Sequence, residues 1–145
     1  MDNVLKNIKY FHQYCKKQNT FFGISVCPMR QNWCEMPEFI HFCNELNVPV
    51  YFHTVWNPTH CCLWNLPASE LKEIEKFLIQ HNSFKNNTTI EKANQNAYNG
   101  LLKQVGQWKN YAEELEKENL FLEKKQHWKY TNHPIYSQMA KYESQ

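Results

Sequence analysis

The chain has 145 residues, of which 42% are hydrophobic and 15% aromatic, and its formal net charge is +2. This composition excludes global disorder, and the length fits a single domain. The small net charge and a single arginine, Arg30, argue against a nucleic-acid-binding face, which normally concentrates basic residues.

Membrane and secretion signals are not expected in this sequence. No uninterrupted apolar run approaches the roughly 18 residues that a membrane-spanning helix needs. Residues 1–17 contain no uninterrupted apolar core and no small-residue cleavage site, which predicts no signal peptide and a cytoplasmic location. The 6 cysteines are then expected to be free thiols.

The hydrophobic pattern predicts alternating helices and strands. Helical spacing of apolar residues over about 3–18 predicts a first helix, and the apolar run over 21–26 predicts a strand covered on both faces. Pro37 is typical of the first turn of a second helix. A second buried strand over 48–55 precedes a third helix that opens at Pro67. This order predicts a parallel α/β architecture.

The predicted connections differ in length between the two ends of the strands. Helix-to-strand links are short, whereas the strand-to-helix links run from Cys27 to Met36 and from Val55 to Leu66. Both are longer than the roughly 2–6 residues usual in such units. Loops at the carboxyl ends of parallel strands build the active sites of α/β folds, so ligand-binding residues are expected there.

Residues 1–82 are predicted to form an incomplete α/β unit. Two parallel strands leave exposed edges and bury too little to make a stable sheet unaided. We therefore expect a partner chain or a second copy of this chain to complete the sheet, unless the chain is a truncated piece.

Residues 83–145 are predicted to be a polar linker followed by an amphipathic helical tail. The tail is one long helix, or two with a break near Gly106, and it packs on the α/β unit or mediates self-association. A short coiled-coil-like seam surrounds Asn119. The helical stripe is assigned to residues spaced by three or four: Ile90, Ala93, Ala97, Leu101, Val105, Trp108, Ala112, Leu115, Asn119 and Leu122.

Residues 21–78 resemble the later part of a radical S-adenosylmethionine (radical SAM) enzyme. The resemblance is carried by five pieces: Cys27-Pro28-Met29-x-x-Asn32-Trp33, Pro37-Glu38-Phe39, Val50-Tyr51-Phe52-x-Thr54, Trp56-x-Pro58 and Leu63-Trp64-x-Leu66. It implies a partial (β/α) barrel fragment, with two parallel strands, flanking helices and a long C-terminal helical segment.

The resemblance also implies a catalytic half that this sequence lacks. In the family, a Cys-x3-Cys-x2-Cys loop holds a [4Fe–4S] cluster that cleaves S-adenosylmethionine to a 5′-deoxyadenosyl radical. No such motif and no glycine-rich S-adenosylmethionine loop occur here. The chain would therefore hold the last barrel units alone, with both cofactors present only if a partner supplies the missing half.

Five residues in the two long loops are candidates for ligand binding. Asn32 and Trp33 would face the barrel mouth, where they would hydrogen-bond to a ligand or stack on it. Alternatively, they brace the loop: Asn32 satisfies backbone groups and Trp33 packs as an aromatic plug. His53, Trp56 and Asn57 follow the second strand; His53 would donate a proton near substrate, or else be a hydrogen-bonded core residue.

The loop that contains His60, Cys61 and Cys62 gives only weak support to two further hypotheses, a metal site and a thiol redox site. Adjacent cysteines rarely both ligate one tetrahedral zinc, and no second pair is spaced to help. A thioredoxin-like site needs Cys-x2-Cys at a helix start, which is absent. We expect no metal here and predict thiols packed under Trp64.

The sequence thus favours a C-terminal portion of a radical SAM protein without autonomous catalysis, completing a barrel or a substrate pocket. The alternative is a small helical oligomerisation module whose C-terminal helix joins copies of the chain. A stand-alone metalloprotein or thiol enzyme is the third hypothesis.

Overall fold

A computed structural model of the protein describes residues 2–117. Its helices and strands follow the predicted alternation, and each strand has 3 residues, which is shorter than predicted. The elements are α1 (Asp2–Gln18), β1 (Ile24–Val26), α2 (Met36–Leu46), β2 (Val50–Phe52), α3 (Ala68–Gln80) and α4 (Thr89–Lys117). Short 3-10 turns occupy Trp33–Glu35, Thr59–Cys61 and Leu63–Asn65.

The two strands form a parallel sheet, as predicted. The register pairs Ile24 with Val50, Ser25 with Tyr51 and Val26 with Phe52. The Ile24 N–H donates to the Pro49 carbonyl at 2.9 Å, and the His53 N–H donates to the Val26 carbonyl at 2.9 Å. Among the described residues, β1 pairs with β2 alone.

One face of the sheet is buried and the other is open. Val26 and Val50 point into a core formed with α2, α3 and α4. Ser25 is exposed and Tyr51 is 46% exposed on the opposite face. The prediction that the strands are covered on both faces is therefore wrong. An apolar run does not say how many layers pack on a strand, and the helices that share this core lie on one side.

A single core joins the α/β segment to α4. Ile40 of α2, Leu71 of α3 and Tyr98 of α4 are all fully buried in the same cluster. The Tyr98 hydroxyl donates to the Leu78 carbonyl at 2.9 Å, and burial raises the pKa of Tyr98 to about 12. The predicted boundary near residue 82 falls in the loop between α3 and α4. α4, which comes after this loop, packs against α2, α3 and β2.

The outer edge of β2 is closed by the amide of one α4 side chain. The Val50 N–H donates to Asn94 Oδ1 at 2.8 Å, and Asn94 Nδ2 donates to the Val48 carbonyl at 3.0 Å and to Asn44 Oδ1 at 2.8 Å. Asn94 is completely buried. Its amide takes the place of a peptide group on a neighbouring strand. At the outer edge of β2, Asn94 therefore satisfies the Val50 N–H and the Val48 carbonyl.

α4 is continuous through Gly100 and Gly106, so of the two predicted alternatives the single long helix is confirmed over the described residues, and the break near Gly106 does not occur. A Cβ at Gly106 would lie 2.9 Å from the Oε1 atom of Glu75. The glycine thereby lets the Glu75 carboxylate of α3 approach α4, where it pairs with the Lys109 ammonium. The seam predicted around Asn119 lies outside the described residues.

Hydrogen bonds fix both ends of α4. At its start, Thr88 Oγ1 accepts from the Glu91 N–H at 3.1 Å, and Glu91 accepts from the Thr88 N–H at 3.0 Å, which is a capping box. The backbone N–H groups of Thr88 and Asn87 hold the pKa of Glu91 below its ordinary value. Near its end, Glu116 Oε1 accepts from the Ala68 N–H at 2.9 Å and caps the start of α3.

α1 contacts the rest of the chain near its C-terminal end, where the His12 and Phe22 rings lie 5.6 Å apart. Its outward face carries apolar side chains that are each more than half exposed: Val4, Tyr10, Phe11 and Tyr14. Such a face on a helix normally packs against another surface. None of the helices in residues 2–117 combines the length and the apolar character needed to cross a membrane.

Candidate functional site

The two long loops lie against each other at the carboxyl ends of β1 and β2. The Arg30 N–H donates to the Cys61 carbonyl at 3.1 Å, and Gln31 Nε2 donates to the Cys61 thiol at 3.8 Å. The Arg30 guanidinium lies 3.7 Å from the Glu70 carboxylate at the start of α3. Residues about thirty positions apart thus form one continuous surface at this edge of the sheet.

The amide of Asn32 is engaged inside its own loop. Its Oδ1 accepts from the Met29 N–H at 2.7 Å, and its Nδ2 donates to the Cys27 carbonyl at 3.2 Å. These bonds close the turn that leads from β1 into the 3-10 turn before α2. The geometry therefore places Asn32 in the bracing role, and its acceptor oxygen is already used.

Asn32→Ala should destabilise the protein by about 1–2 kcal/mol, because the Met29 N–H and the Cys27 carbonyl each lose a partner. Asn32→Asp keeps the acceptor for Met29 and should retain part of that stability. Chemical denaturation of both variants measures the difference. A ligand role alone would leave the unfolding midpoint of Asn32→Ala unchanged.

Trp33 packs between its loop and α3. Its ring meets the Phe77 ring edge-on, with centroids 5.1 Å apart and an interplanar angle of 87°. Phe77 stacks in turn on His81 at 4.0 Å. Edge-to-face contacts of this kind stabilise aromatic pairs beyond their buried area. Trp33 thus acts as a packing residue in the structure, while its partial exposure leaves an edge at the surface.

Trp56 and Asn57 follow β2 in the second loop. The Trp56 ring lies 5.8 Å from the buried Trp64 ring, whose Nε1 donates to the Val55 carbonyl at 3.1 Å. Asn57 is exposed and precedes Pro58 through a cis peptide bond. Trp56 therefore braces the loop, whereas the side chain of Asn57 is at the surface.

His53 lies on the open face of the sheet. It is exposed, so the interpretation of His53 as a core histidine is wrong. Ser25 and Tyr51 share this face, although neither is among the residues predicted above. The alternation of side chains along a strand could have identified Tyr51 from the sequence, since residues 51 and 53 must point the same way. Together these three side chains form an open sheet face, which we define as Ser25, Tyr51 and His53.

The cysteines of the loops take different positions. Cys27 and Cys34 are exposed, whereas Cys62 is buried and its thiol donates to the Pro58 carbonyl at 3.2 Å. Within residues 2–117, no three His, Cys, Asp or Glu side chains come together in a way that would hold a metal ion.

Comparisons with protein-family models, curated proteins and solved structures found no match to this chain.

Proposed function

We propose that this chain supplies the last two units of a partial parallel (β/α) barrel and completes a substrate pocket without a catalytic centre of its own. The remaining strands would come from a partner chain. The observation that carries the proposal is the inequality of the two sheet edges. At the edge of β2, Asn94 pairs with backbone groups of Val48 and Val50, whereas nothing within residues 2–117 pairs with the edge of β1.

The free edge of β1 presents backbone groups that another strand can use. Ile24 and Val26 direct their N–H and C=O groups towards β2, so those of Ser25 point outward. Unpaired groups on an exposed strand edge are a template for strand addition. A strand added beside β1 would precede β1 in the barrel, and β2 would remain the last strand.

The two faces of the sheet also fit a barrel wall. In a (β/α) barrel the helices cover the outside, and alternate strand side chains point inward. Val26 and Val50 face the helices here, and the open sheet face points the other way. We infer that Tyr51 and His53 would then line the shared interior, close to the loop residue Asn57.

The radical SAM resemblance suggests which partner to test first. The residues of this chain do not fit a [4Fe–4S] cluster, since the sequence has no Cys-x3-Cys-x2-Cys and the described cysteines do not gather in threes. S-adenosylmethionine and the cluster would therefore be held by the partner. This chain would contribute the second wall of the pocket.

The exposed apolar side chains of α1 also support the docking of a partner chain. A helix that precedes a barrel strand packs on that strand and on the one before it. With the earlier strand absent, Val4, Phe11 and Tyr14 remain uncovered. Self-association through α4 has less support, because four residues of its predicted stripe are buried inside the chain: Leu101, Val105, Ala112 and Leu115.

Anaerobic co-expression with a neighbouring gene product that contains Cys-x3-Cys-x2-Cys tests this function. We expect the isolated chain to be monomeric by light scattering and to bind neither iron nor S-adenosylmethionine, and we expect the complex to bind both. The cluster-bearing chain alone is the control. An isolated chain that binds S-adenosylmethionine, or a cluster-bearing chain that is equally active without it, would refute the proposal.

A further inference from the structure

A cavity of about 370 Å³ lies under the C-terminal half of α1. It is at the amino ends of the strands, so it is separate from the long loops and independent of the function proposed above. Phe22 and Val48 contribute to its walls beside the two strands, and Ile90 closes one side from the first turn of α4. The volume falls within the range of roughly 300–1,000 Å³ that is usual for pockets that hold small molecules.

The polar side chains of the cavity come from α1 and from the two loop residues Thr20 and Asn47. His12, Cys15 and Lys16 are spaced by three and four residues, so they share the face of α1 that covers the cavity. Lys16 carries a positive charge at neutral pH, and His12 can donate a hydrogen bond. None of the described residues that line the cavity is Asp or Glu.

We propose that this cavity binds a small monocarboxylic acid with an apolar body. The apolar walls match an aliphatic or aromatic body, and one lysine at the rim matches one negative charge. A dianion such as phosphate would leave the walls unfilled and lack a second cation. Binding would tie α1 to the amino ends of β1 and β2, because the ligand would touch all three.

The charge of the ligand can be tested with octanoate against octan-1-ol, which has the same chain without the carboxylate. Titrations followed by amide NMR shifts should give a dissociation constant for octanoate below about 1 mM, with shifts at residues 12–16 and 46–49. Lys16→Glu should weaken octanoate binding about tenfold and leave octan-1-ol binding unchanged.

The matched control is Lys17→Glu, which makes the same charge change one position away, outside the cavity lining. It should change octanoate affinity by about twofold or less, because Lys17 does not line the cavity and solvent screens its charge from the ligand. Cys15→Phe should fill the cavity and abolish binding of both compounds, and its melting curve shows whether the fold is kept.

Equal affinity for octanoate and octan-1-ol would overturn the proposal. So would octanoate binding that survives Cys15→Phe in a folded variant, or shifts confined to residues away from the cavity. No detectable octanoate binding to the unmodified chain would also overturn it. None of these results would bear on the docking of a partner at β1.

Discussion

Asn94→Ala should destabilise the fold by at least about 3 kcal/mol, because three polar groups that Asn94 satisfies would lose their partner together. The Val50 N–H and the Val48 carbonyl would be left buried without a hydrogen-bond partner, and Asn44 Oδ1 would lose the donor that Asn94 supplies. Urea denaturation followed by circular dichroism measures the change. For a protein of ordinary stability, such a loss removes a large part of the free energy of unfolding.

Asn96→Ala is the matched control, since Asn96 lies on the same helix and is exposed. Its effect on the free energy of unfolding should stay within about 0.5 kcal/mol. Asn94→Asp would keep the acceptor for Val50 but lose both donors, so it should also destabilise strongly. Equal unfolding midpoints for Asn94→Ala and Asn96→Ala would show that α4 does not close the edge of β2.

Ser25→Pro should weaken partner assembly about ten- to hundredfold, because it removes the outward N–H at the centre of the free edge. The bonds between β1 and β2 come from Ile24, Val26 and their partners, so they should survive. Proline is tolerated on an edge strand when its missing N–H faces solvent. The readout is the dissociation constant of the complex with the cluster-bearing chain.

Ser25→Ala is the control, since it removes the hydroxyl and keeps the backbone N–H. It should leave the dissociation constant within about twofold of the unmodified chain. The unfolding midpoint of Ser25→Pro in the isolated chain checks that the sheet is intact. A complex that tolerates Ser25→Pro as well as Ser25→Ala would place the partner at a different surface.

The order of helices and strands could be predicted because hydrophobic periodicity and the prolines mark it locally. The role of Asn94 could not be predicted from the sequence. The predicted stripe of α4 included Ala93, which is exposed, and Ala97, which packs against the core; it omitted Asn94 and Tyr98, which are buried. From periodicity alone, a polar residue inside a helix is normally assigned to the solvent-exposed face. Asn94 is buried because it completes a sheet edge more than forty residues earlier, and no local pattern carries that information.

Loop length predicts a candidate site at the carboxyl ends of the strands, but it does not predict the contacts that the residues of these loops make. The amide of Asn32 and the ring of Trp33 are committed to neighbours, and these contacts depend on how the loops fold. The hydrogen bond from the Arg30 N–H to the Cys61 carbonyl joins two loops that are far apart in the sequence, and no local pattern predicts it. Tyr51 and His53 could be placed on one face by alternation, but which face is open depends on the helices.

Hydrogen exchange at two backbone amides is the most direct test of the inequality between the sheet edges. In a dilute solution of the isolated chain, the Val50 N–H should exchange only on global unfolding, because Asn94 holds it. The Ser25 N–H should exchange at nearly the rate of an unprotected peptide, because nothing among residues 2–117 pairs with that edge. Strong protection of Ser25, or rapid exchange at Val50, would contradict the account.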